Sequence, residues 1–183
     1  MSTRSSLLAD PDGNAKELAE SVYWIPLQWL ALITSDDIEQ SDGSSCITTG
    51  RKAALKQFDQ TIGFLAEEFS DFESFQECAD SLKALLKKSK AKTIGIDVTD
   101  HIGMNPETFM PSLLAAVTSL QSQNPKCAFT VPARTIENPF TGEPKKLKAV
   151  KHKTTRDVLC FAASIDPMPD DEAANEQLIG YLF

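Results

Sequence analysis

Asp97, Asp100 and His101 are the one close grouping in this chain that could do acid–base or metal chemistry. They follow Ile94-Gly95-Ile96, a segment whose alternation predicts a strand, and α/β enzymes place chemistry at strand ends. A carboxylate beside an imidazole can pass a proton or ligate a cation. The spacings here do not turn all three side chains the same way, however, and no second cluster completes a coordination shell. Aspartates in strand-to-helix loops also commonly serve as turn and cap residues. A small enzyme using Asp97, Asp100 and His101 is therefore carried as an alternative. The chain has no phosphate-cradling glycine loop, nucleophile elbow, HExxH or EF-hand pattern, so no cofactor and no metal is expected. His101 and His152 are the only histidines. His152 stands among lysines that disfavour its charged form, and it is expected to be a surface residue. Cys46, Cys78, Cys127 and Cys160 are too widely spaced for a metal clip and read as reduced thiols.

The second chemically loaded stretch is basic. Asn138-Pro139-Phe140-Thr141-Gly142 supplies proline where a turn wants φ near −65° and glycine where the chain must reverse, which predicts a hairpin tip. Phe129, Val131 and Ile136 suit the incoming side, and Lys145, Lys146, Lys148, Lys151, Lys153 and Arg156 load the outgoing one. With Arg134 they are expected to form one basic ribbon.

The net charge is nonetheless −8. Asp59 to Asp80 holds seven acids and no base, and Asp166 to Glu176 holds five. Eleven of the eighteen Lys and Arg residues fall in Lys83 to Lys92 and Lys145 to Arg156. Such a balance argues against general affinity for nucleic acid or anionic membrane, and it predicts that the basic strand pairs with the chain's own acidic surface.

The elements that must position these residues are read from periodicity. Leu55, Phe58, Ile62, Leu65 and Phe69 make one helical stripe, and Phe72, Phe75, Ala79, Leu82 and Leu86 make a second. Together they predict an αα-hairpin, with Asp71 as cap of its second helix. Pro26 is placed to open a short buried helix through Ile33 that carries Trp29. Arg4 to Leu8 and Thr93 to Val98 read as strands, Asp36 to Ser45 as a loop, a helix as starting at Pro111, and Asp157 to Ile165 as a buried strand before a last short helix. This order predicts one α+β domain over residues 1–183. Helices dominate its first two thirds and pack on a small antiparallel or mixed sheet, a βαβ unit remains possible, and a C-terminal β-hairpin follows. Three apolar residues before Asp10 are too few for a secretory signal, and the longest apolar run, Val22 to Ile33, is too short to span a bilayer. A cytoplasmic location without membrane association is the expectation.

Two resemblances bear on use. Ala133, Arg134, Asn138, Pro139, Thr141, Gly142, Glu143 and Ala149 are spaced as in the DNA-bending arm of the histone-like bacterial proteins. That resemblance implies a proline wedged between base steps and basic strands along the minor groove. It departs from the arm at Glu137, where the family is basic, and at Pro144, which interrupts the outgoing strand. The chain also resembles small single-domain bacterial proteins of uncharacterised or immunity-like type, through Thr3-Arg4-Ser5-Ser6-Leu7, Tyr23-Trp24-Ile25-Pro26-Leu27 and the segment Ile94 to Leu114. This likeness implies binding rather than catalysis.

The leading expectation is a non-enzymatic binding protein that neutralises a basic protein partner, since opposite charge accelerates encounter. Its candidate surfaces are Glu67, Glu68, Asp71, Glu73 and Glu77, and the acidic loop Asp170, Asp171 and Glu172. Nucleic-acid binding through residues 133–156, centred on Arg134, Pro139 and the arm's lysines with Arg156, is the alternative.

Overall fold

The computed structural model describes residues 3–137, 141–164 and 177–183. Five strands form an antiparallel sheet: β1 (Arg4–Ala9), β2 (Lys16–Val22), β3 (Cys46–Gly50), β4 (Thr93–Asp97) and β9 (Tyr181–Leu182), in the order β3-β4-β1-β2-β9. No pair is parallel among the described strands, so the βαβ alternative falls. The register aligns Ile47, Ile96, Leu7 and Ala19 across the sheet, all buried on one face. A bulge between Leu7 and Leu8 leaves Leu18 as an extra residue of β2, and it too is buried.

Helices cover that face. They are α1 (Leu27–Leu30), α2 (Ser35–Gln40), α3 (Arg51–Glu68), α4 (Phe75–Lys88), α5 (Thr99–Met104), α6 (Phe109–Gln121) and α7 (Thr155–Ala163). The architecture is thus α+β, as the sequence predicts. The α3–α4 pair is the expected αα-hairpin, with Phe58, Leu65, Phe75, Ala79, Leu82 and Leu86 buried between the layers. Pro26 caps α1, and Leu27, Trp29, Leu30, Leu32 and Ile33 are buried at the centre of one continuous apolar core.

Four expectations are corrected. Residues 155–163 form helix α7 and not a strand: the Thr154 hydroxyl accepts the Asp157 amide at 3.1 Å, and Thr155, Val158, Leu159 and Ala162 recur at helical spacing on the buried side. Within the stretch read as loop, Thr34 and Asp37 form a reciprocal capping box that starts α2. Asp71 does not cap α4; its carboxylate is held by Arg156, and the N-cap residue is Ser74. Strands β2 and β3, which the sequence reading did not pick out, lie with β1 within the first fifty residues. Helix α6 begins two residues before Pro111, which falls in the first turn where a missing N–H costs nothing.

On the opposite face of the sheet Pro11 lies over Gly95, and a Cβ at Gly95 would sit 2.8 Å from both Cys46 Sγ and Pro11 Cγ. Gly95→Ala is therefore expected to cost about 1–3 kcal/mol by overpacking. Urea unfolding followed by far-UV circular dichroism measures it, and an unchanged midpoint would show that Pro11 yields freely.

The rest of the chain builds an arm. Strands β5 (Lys126–Val131) and β8 (Val150–Thr154) pair antiparallel at its base, and β6 (Arg134–Glu137) and β7 (Pro144–Leu147) pair beyond them. The result is one long hairpin in two tiers, broken at Pro132-Ala133 on the way out and at Lys148-Ala149 on the way back. Proline cannot donate to a ladder, which accounts for the first break. The base tier packs on α6 and α7.

Candidate functional site

The register of the base tier sets which arm residues face the body. Phe129 pairs with His152, and Thr130 with Lys151. Because side chains alternate, Phe129 and His152 point inward to the Phe161 ring, at centroid distances of 6.2 and 5.0 Å, while Lys151 and Lys153 point out. Lys145, Lys146, Lys148, Lys151 and Lys153 are all exposed. None of them forms an ion pair among the described residues. Asn138, Pro139 and Phe140 of the tip lie outside the described residues, while Gly142 has the left-handed backbone, φ 69°, that the turn reading asks of it.

Two members of the expected ribbon are used elsewhere. Arg134 Nη1 donates to Thr108 Oγ1 at 3.2 Å, tying the outer tier to the start of α6. Arg156 lies on α7, where its two terminal nitrogens each meet an Asp71 carboxylate oxygen at 2.7 Å and Nη1 also donates to the Glu68 carbonyl at 2.6 Å. Its guanidinium sits 4.6 Å from the Phe69 ring centroid. The hydrogen bonds from Arg156 hold the Asp71 carboxyl below its ordinary range. This cation closes the α3–α4 corner and is not part of the arm's surface. Around the same corner Glu67, Glu73 and Glu77 stay exposed, while Glu68 is half-buried. Asp170, Asp171 and Glu172 lie outside the described residues.

The Asp97, Asp100 and His101 grouping is divided. Asp97 accepts the Thr99 amide at 2.9 Å and the Thr99 hydroxyl at 2.6 Å, which starts α5. Asp100 accepts the Arg4 amide at 2.9 Å and so fastens β1 to α5. Only His101 turns inward, buried and stacked on Phe109 at 5.7 Å. No group of three or more metal-ligating side chains occurs among the described residues.

His101 opens instead onto a cavity of about 530 Å³ that also receives His152, Asn105, Cys160 and Phe161. Both imidazoles of the chain thus meet there, one from α5 and one from the arm. His152 is half-buried, not the surface residue expected, because β8 turns its inner face to α7. The Nε2 atoms of both histidines are buried with no hydrogen-bond partner among the described residues. At the rim, Tyr23 is exposed and holds a left-handed backbone, φ 81°, which is uncommon for an aromatic residue. A second concavity, of about 550 Å³, is walled by Lys16, Lys88 and Lys90. Asp10 on its wall is already engaged by the Thr93 and Lys92 amides, which lower its pKa.

Burial holds the His101 pKa below its usual value of 6.5, with the Asp100 charge opposing. The native state therefore resists a proton that the unfolded chain accepts, so stability is expected to fall as the pH drops below about 6.5, by at most about 1.4 kcal/mol per pH unit for this group. Urea midpoints from pH 7 to pH 5 test this. His101→Asn should flatten that part of the profile, and an identical slope in the variant would contradict it.

The cavity was not legible because its wall comes from residues far apart in the chain and because α7 reads as a strand. No described helix is long and apolar enough to cross a membrane. Comparison with known protein families, with curated proteins and with solved structures finds no match to this chain.

Proposed function

We propose that this chain is a nucleic-acid-binding protein whose arm carries the binding surface. The observation that supports it is the set of five exposed arm lysines with no ion-pair partner among the described residues, in a chain that is otherwise strongly acidic. Like charges gathered on a two-stranded ribbon repel one another, and a polyanion relieves that repulsion. Lys151 and Lys153 lie two residues apart on one face, about 6.8 Å along the strand, a repeat suited to successive phosphates. The resemblance to a DNA-bending arm points the same way, although Pro139 lies outside the described residues. The remaining acidity restricts contact to the arm itself, so binding is expected to be local and salt-sensitive and not the broad affinity of a basic domain.

The test is electrophoretic mobility of labelled DNA and RNA with the wild type and with the triple variant Lys145→Glu, Lys146→Glu, Lys148→Glu. A shift with the wild type and none with the variant is expected. A wild type that shifts neither nucleic acid at micromolar concentration and low salt overturns the reading.

A second reading keeps the acidic corner as the working surface, with a basic protein as the partner in the manner of an immunity protein. Exposed Glu67, Glu73 and Glu77 around the α3–α4 turn favour it. Reversing these three charges would abolish capture of such a partner and leave the arm's binding unchanged. Three exposed glutamates mark that corner, whereas five exposed lysines with no ion-pair partner among the described residues share one two-stranded ribbon, and the arm is preferred on that ground.

A further inference from the structure

We propose that the cavity between α5, α6, α7 and β8 is a pocket for one unpaired nucleobase, an inference that rests on the nucleic-acid reading and extends it to a second contact. Its volume, about 530 Å³, is in the range of small-ligand sites. Two flat walls line it, each a histidine backed by a phenylalanine: His101 on Phe109 with 26° between planes, and His152 beside Phe161 with 35°. Aromatic walls of this kind take a planar heterocycle by stacking.

The polar groups define the ligand further. The Asn105 side chain, on the same wall, bonds no described residue and faces the cavity, whereas the Nε2 of each imidazole is buried away from it, with no hydrogen-bond partner among the described residues. Asn105 offers both donor and acceptor, the pattern that reads a base edge. No Lys or Arg lines the cavity and Asp157 does, so a phosphate or carboxylate would be repelled from it. The occupant is thus aromatic, uncharged and hydrogen-bonding along an edge.

The phosphate has its own place next door. His152 and Phe161 also wall a smaller depression of about 320 Å³ whose cations are Arg134 and Lys148. Arg134 Nε is buried with no hydrogen-bond partner among the described residues. A strand with one base turned into the cavity would run its backbone across this depression onto the arm. The exposed Tyr23 ring, held at the rim by strained backbone, would meet the sugar or the neighbouring base.

Free nucleosides separate this proposal from the reading beneath it, because they carry no phosphate for the arm. The probes are adenosine, guanosine, cytidine and uridine, titrated against the full chain by saturation-transfer NMR. At least one is expected to bind with a Kd below roughly 1 mM, and the triple arm variant should bind it equally well. Phe161→Leu should weaken it at least fivefold, in line with the loss of stacking, and Asn105→Ala should change the order of preference among the four bases. If no nucleoside binds while labelled nucleic acid is still shifted, the pocket proposal is overturned and the arm stands. If nucleosides bind and nucleic acid is not shifted, the arm reading fails and the cavity remains a heteroaromatic pocket. Binding that is unchanged by both Phe161→Leu and Asn105→Ala would place the nucleoside elsewhere and overturn the assignment.

Discussion

Trp29→Ala is expected to remove about 3–5 kcal/mol of stability. Trp29 is fully buried in α1, and its indole Nε1 donates to the Ile179 carbonyl at 3.0 Å, across the core from the last helical residues to the first. Truncation therefore opens a large apolar cavity and also leaves a part-buried carbonyl without its donor. Against a total of about 5–15 kcal/mol, that loss leaves a marginal fold. Trp29→Phe keeps most of the ring area and loses mainly the hydrogen bond, so a smaller cost of about 1–2 kcal/mol is expected. Urea titration of the three proteins would read both steps. Equal midpoints for Trp29→Phe and Trp29→Ala would mean that the hydrogen bond, not the ring, holds the C-terminal segment in place.

The second large effect belongs to the arm. Charge reversal at Lys145, Lys146 and Lys148 is expected to weaken nucleic-acid binding by roughly a hundredfold or more and to lower the salt slope by about 2, since three phosphate contacts are lost. All three side chains are exposed and none forms an ion pair among the described residues, so the fold should tolerate the change. Unfolding midpoints would check that tolerance. Fluorescence anisotropy with a short labelled single strand would give the affinity, and an unchanged Kd in a folded variant would remove the outer tier from the interface.

Much of the helical layer was readable because its apolar residues repeat every three or four positions: Phe58 and Leu65 on α3, and Phe75, Ala79, Leu82 and Leu86 on α4, are buried where that spacing puts them. The inner line of α3 still runs through Ala54 and Thr61, with Leu55 and Ile62 only half-buried, because a small residue lets the helix approach the sheet and Thr61 returns its hydroxyl to the Gln57 carbonyl. Strand β3 escaped detection since its inward residues are Ile47 and Thr49, which alternate weakly in hydropathy, and β2 since its bulge breaks the two-residue period at Leu18. The segment 155–163 was misread for a different reason. A continuous apolar run does not distinguish a buried helix from a buried strand, and the deciding signal was the cap pair Thr154 and Asp157 at its start.

The site was legible only in part. The turn residues of 138–142 announce a hairpin, and the paired strands on either side of them are there. What composition could not supply is the partition of its charges: Arg156 belongs to a helix and serves Asp71, and Arg134 reaches back to Thr108. Nor could spacing bring His101 to His152, since their meeting depends on β8 folding back over α7. Asp97 and Asp100, adjacent to His101 in the chain, are spent on the geometry of α5 and β1.

The most direct test of the central claim is the salt dependence of wild-type binding to a labelled single strand, followed by anisotropy from about 50 mM to about 200 mM salt. Five lysines, each releasing condensed counterion at about 0.7 per phosphate on a single strand, predict a log–log slope near −3.5 and a loss of affinity of roughly a hundredfold over that interval. No binding at the lowest salt, or binding whose strength does not change with salt, would contradict an arm that works by neutralising phosphates.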